Sequence, residues 1–80
     1  MRIININLPT VRTVHDFVRE ISSLDGHFDL LSEKYMLDAR SLMGIFQLDL
    51  AKPIRLQIEN DTEKTMSVIE RFIAKPIANR

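Results

Sequence analysis

Few side chains in this sequence are equipped for chemistry. There is no cysteine, and the two imidazoles belong to His15 and His27. Neither has paired carboxylates at useful helical spacing beside it. Both therefore read as structural or solvent-exposed residues, and no metal and no cofactor is expected. Two hydroxyls are better placed. Thr10 opens an apolar-periodic stretch and has Arg12 two residues on, and Ser41 opens the run LMGIFQL. A hydroxyl just before a helix accepts a hydrogen bond from a backbone N–H that the helix leaves unpaired. The same place carries partial positive charge and suits an anion. Thr10 with Arg12 thus reads as a plain helix cap or as an anion site. Phosphorylation of Ser41 would add roughly −1.5 to −2 charges where the helix dipole favours them, although a capping serine needs no such role.

The elements that position these groups follow from hydrophobic spacing. Ile4, Ile6 and Leu8 alternate with Asn5 and Asn7, as in a half-buried strand. Pro9-Thr10 breaks it. Val11, Val14, Phe17, Val18 and Ile21 then share one face of a helix that ends near Ser22 or Ser23. Asp25-Gly26 marks a turn. Phe28 to Leu31 and Tyr35 to Leu37 read as a hairpin around Ser32-Glu33-Lys34. Ser41 caps a short helix over Leu42 to Leu48, and Gly44 within it permits close backbone approach. Lys52-Pro53 stops that segment. Ile54, Leu56 and Ile58 alternate with Arg55, Gln57 and Glu59 as a strand with one wet face. Asn60 or Asp61 caps a last helix with Met66, Ile69 and Ile73 as its stripe. Pro76 ends it, and Ala78-Asn79-Arg80 fray.

The order is β-α-β-β-α-β-α, an α+β class. A four-stranded, mostly antiparallel sheet with helices on one face buries every apolar stripe in two layers. Eighty residues make one small domain, 1–80. Lys plus Arg and Asp plus Glu are 11 each, so the formal charge is zero and no basic excess favours nucleic acid. No apolar run approaches the roughly 18 residues of a membrane span, and MRIININLP is too interrupted for a signal peptide. The absence of cysteine fits the cytosol, so a cytoplasmic protein is expected.

The stretch from Asp38 to Asn60 resembles the histidine-containing phosphocarrier family, HPr, of the bacterial sugar phosphotransferase system. Arg40-Ser41-Leu42-Met43-Gly44-Ile45 is similar to that family's serine-site helix, with arginine in place of its lysine. Leu48-Asp49-Leu50 is similar to the following Leu-Gly-Leu, and Phe17-Val18-Arg19-Glu20 to the end of the first helix. The resemblance implies an open-faced β-sandwich with three helices on one side of the sheet. It departs at the family's Gly-Leu-His-x-Arg-Pro-Ala. Aligned back from Phe17, this sequence reads Leu8-Pro9-Thr10-Val11-Arg12-Thr13-Val14. Thr10 stands at the phosphorylated histidine and Arg12 survives, which leaves a degenerate phosphotransfer site. His15 lies five residues further on, inside the helix.

The resemblance also implies roles. Ser41 matches the regulatory phosphorylation site. The Ser41 helix and the tip of the first helix match the docking surface, with Leu42, Met43 and Phe46 as candidate partner-binding residues. Met43 and Phe46 are expected to be more exposed than Ile45 and Leu48. The implied function is regulatory or protein-binding, without histidine phosphotransfer and without enzymatic activity. The implied partners are phosphotransferase-system enzymes, an HPr serine kinase or a transcriptional regulator. Two alternatives compete. One is a working phosphocarrier in sugar uptake that uses His15 or His27. The other is a degenerate structural or oligomerising module.

Overall fold

The computed structural model describes residues 1–34 and 36–74. Along the chain run β1 (Arg2–Ile6), α1 (Val11–Ser22), β2 (Phe28–Leu31), β3 (Met36–Asp38), α2 (Leu42–Ile45), β4 (Ile54–Ile58) and α3 (Glu63–Ile69). A 3-10 turn, Glu70–Phe72, extends α3. The strands form one sheet in the order β1-β4-β2-β3, and every pair is antiparallel. β4 is central, and its alternation shows how the layers form. Ile54, Leu56 and Ile58 are buried beneath the helices, while Arg55 is exposed on the other face. Ile6, Leu30, Leu56 and Ile58 from the sheet meet Val14, Phe17 and Ile21 of α1, Ile45 of α2 and Ile69 of α3 in one core. Each such side chain contributes roughly 1.5–3 kcal/mol on full burial.

Several boundaries differ from the sequence reading, each for a physical reason. β1 stops at Ile6, and Leu8 is fully buried although it lies beyond the strand. Val11 belongs by spacing to the apolar face of α1 but is 62% exposed, because it sits in the first turn past the rim of the core. α2 is a single α-turn rather than a helix to Leu48. Its continuation tightens to shorter hydrogen bonds, Gln47 N–H to Gly44 O at 3.1 Å and Leu48 N–H to Ile45 O at 3.0 Å. Thr62, not Asn60 or Asp61, caps α3, and its hydroxyl accepts from Thr65 N–H at 3.2 Å.

The largest difference is at the end of α3. Its helical structure stops at Phe72, and Ile73 is extended and bridged antiparallel to Ile6. Asn7 N–H donates to Phe72 O and Ala74 N–H to Asn5 O, both at 2.8 Å. The free edge of β1 draws the chain out of the helix because its polar groups need partners. Tyr35, Pro76 and the segment 78–80 lie outside the described residues. No described helix is long and apolar enough to cross a membrane.

Candidate functional site

Thr10 caps α1 from an extended backbone, as its sequence position requires. Its Oγ1 accepts from Thr13 N–H at 3.0 Å and lies 2.7 Å from Thr13 Oγ1. The hydroxyl is therefore engaged with its own helix. Arg12, in the first turn, is exposed. Thr10 and Arg12 thus share the tip of α1 as the spacing predicts.

Ser41 caps α2 in the same way, with its Oγ accepting from Gly44 N–H at 3.2 Å. Gly44 matters here because of close approach. A Cβ on it would lie 3.0 Å from Ser41 Oγ and 3.4 Å from Leu37 Cδ1. The capping hydroxyl and β3 occupy the space that a side chain would need.

The geometry does not bring Ser41 and Thr10 together. The segment before α2 lies against the C-terminal end of α1, whereas Thr10 caps the opposite end, and a helix of α1's length spans about 18 Å. What joins the two is an apolar surface between them. Ile45 of α2 is fully buried, Leu42 is half-buried, Met43 is 76% exposed and Phe46 is 39% exposed. The Phe46 ring meets His15 of α1, with centroids 6.2 Å apart and planes tilted by 55°. His15 is exposed and lies one turn beyond Val11, which is exposed too. Val11 and His15 of α1 and Met43 and Phe46 at α2 are thus all exposed, and the His15–Phe46 contact links the two helices.

His27 is elsewhere. Its Nε2 lies 3.0 Å from Asp29 Oδ1, and its backbone N–H donates to Glu59 Oε1 at 3.1 Å. It sits at the end of the sheet where Arg2 and Ile58 pair, whereas α1 starts beyond the Ile6–Ile54 end. Among the described residues, no group of His, Asp and Glu side chains is arranged to hold a metal ion.

One contributor escaped the sequence reading. Arg40 lies before Ser41, yet its side chain serves α1. One terminal nitrogen donates to Ile21 O at 3.1 Å, Leu24 O at 2.9 Å and Gly26 O at 3.1 Å. The guanidinium also stacks over Phe28, with Cζ 4.9 Å from the ring centroid. A cation placed on the last carbonyls of a helix matches the negative end of its dipole. Nothing in local spacing announces this, because the partners are 14 to 19 residues earlier in the chain.

With this geometry established, the chain can be placed among known proteins. No family model and no curated sequence matches it. Among solved structures it is similar to HPr-C-His from Thermoanaerobacter tengcongensis, with a TM-score of 0.73 over 91% of this chain and 91% of that one. The fold is that of HPr. Sequence identity across the match is 21%, so the shared property is the chain path: the sheet, the three helices and their order. In the HPr-like frame, Thr10 caps the first helix and Ser41 the second, on the helical side of an open-faced sandwich.

Proposed function

We propose that this chain is a regulatory or protein-binding variant on the HPr fold that passes no phosphoryl group through histidine. One observation carries the reading: the tip of α1 presents a threonine hydroxyl already engaged in capping. A phosphorylated imidazole nitrogen is a reactive P–N species that hands its phosphate onward. A phosphothreonine is a stable ester and does not. Thr10 and Arg12 then remain as a degenerate site, and the chain has no enzymatic role.

Binding in this reading runs through Leu42, Met43 and Phe46. Met43 is the most exposed of the three, and a large apolar side chain held in water is available to a partner. Ser41, at the edge of this face, is the proposed switch. A phosphate there adds dianionic charge beside Leu42 and Met43 and turns an apolar rim into an anionic one. The partners that fit are phosphotransferase-system enzymes, a serine kinase acting on HPr-type substrates, or a transcriptional regulator, all met in the cytoplasm.

The test is incubation with phosphoenolpyruvate and the upstream phosphotransferase enzyme, followed by mass spectrometry at neutral pH. The reading expects no acid-labile gain of about 80 Da, the mass of one phosphoryl group. Such a gain on the exposed His15 would replace it with the phosphocarrier reading.

A further inference from the structure

We propose that Arg40 is the positioning residue of the α1–α2 surface, holding the two helices in the register that presents Phe46 against His15. The proposal rests on the docking role given above to that surface.

α2 has four residues, and a single turn has too few internal hydrogen bonds to hold its own place. Its position must come from its anchors. Ile45 supplies one, in the core. The chain entering α2 supplies the other. There Asp38 shapes a tight turn: its Oδ1 accepts from Arg40 N–H at 2.8 Å, and its backbone carbonyl accepts from Ser41 N–H at 3.0 Å. From that turn two consecutive side chains work on two helices. Arg40 binds the end of α1, and Ser41 caps the start of α2.

The helices are thus tied at one end by Arg40 and meet at the other through His15 and Phe46. Shifting the first contact moves the second, since α1 is a rigid element between them. The tie is specific to a guanidinium. One terminal nitrogen lies on three carbonyls while the rest of the flat guanidinium covers the Phe28 ring. An ammonium offers a compact point charge on a flexible stem and cannot reproduce both contacts.

Proton NMR of the isolated chain tests this with Arg40→Lys, a mild variant that keeps the charge. Thr62→Ala is the control, because it removes a cap on α3 and leaves Arg40, His15 and Phe46 with their own contacts. The expected result is loss of at least half the intensity of the His15–Phe46 ring cross-peaks in Arg40→Lys, together with a shift of the His15 ring protons. In Thr62→Ala the same signals stay in place although the melting temperature falls. Cross-peaks unchanged in Arg40→Lys overturn the proposal, whether or not that variant melts earlier. Arg40→Gln repeats the measurement if Arg40→Lys proves poorly soluble. No partner is present, so this result stands apart from the docking role: a chain that binds no phosphotransferase protein can still show, or fail to show, the Arg40 effect.

Discussion

The imidazole of His15 and the ring of Phe46 meet at 6.2 Å between centroids, and this contact joins the outer faces of α1 and α2. A histidine one turn inside α1 therefore supports the aromatic side chain that the surface presents. Burial and this contact together order Ile45, Phe46 and Met43 by expected cost of truncation.

Ile45→Ala should cost about 2–5 kcal/mol, because the side chain is fully buried. Met43→Ala should stay within about 0.5 kcal/mol, as for other exposed positions. Phe46→Ala should fall between them, at about 1 kcal/mol, because its ring keeps part of its contact with His15. Urea unfolding of the three variants measures the series. In binding the order reverses, and Met43→Ala or Phe46→Ala should weaken a partner complex by more than about 1 kcal/mol. A Met43→Ala variant as unstable as Ile45→Ala would remove the basis for the docking surface.

Ser41→Ala loses the hydroxyl that accepts from Gly44 N–H, and should cost about 0.5–2 kcal/mol. Ser41→Asp should be nearly neutral, since aspartate also caps and its charge suits the dipole. Thermal melts of both variants check the difference. Equal losses would mean that the hydroxyl is not acting as the cap.

Three consecutive residues offer a capping side chain before α3, and only Thr62 uses it. Thr62→Ala should cost about 0.5–2 kcal/mol. Asp61→Ala should stay within about 0.5 kcal/mol, since its ion pair with Arg2 is exposed and 3.8 Å long. Parallel denaturation curves distinguish the two, and the reverse ranking would place the cap one residue earlier.

Gly26 has φ +97°, a conformation that side chains with a Cβ adopt at a cost. Gly26→Ala should destabilise by about 1–2 kcal/mol. The new methyl group would also lie 3.2 Å from Asn60 Nδ2. Because Gly26 O is one of Arg40's acceptors, exchange of the amides after α1 should quicken as well. Hydrogen exchange followed by NMR reads both effects, and a neutral melt with unchanged exchange would contradict them.

The element order, the alternation of β4 and the caps at Thr10 and Ser41 were legible in the sequence. Each depends on interactions a few residues apart, which spacing records directly. An apolar residue at every second position has one buried face in any fold that keeps the strand, and a hydroxyl before an apolar-periodic run has its N–H partner three residues on. The exposure of Met43 and Phe46 was expected from the resemblance to HPr rather than from spacing, and the structure has both exposed while Ile45 is buried.

Tertiary structure decided whatever depends on distant parts of the chain. Ile73 continued the stripe of α3 by spacing, but the unpaired edge of β1 offered its backbone hydrogen bonds that another helical turn could not. Leu8 is buried outside its strand because the entry to α1 folds over the core. In the sequence Arg40 stands only as an arginine in place of the family's lysine before Ser41. Its carbonyl partners come within reach only once β2 and β3 have returned the chain to the end of α1, since helix-end carbonyls accept from whichever donor the fold delivers there.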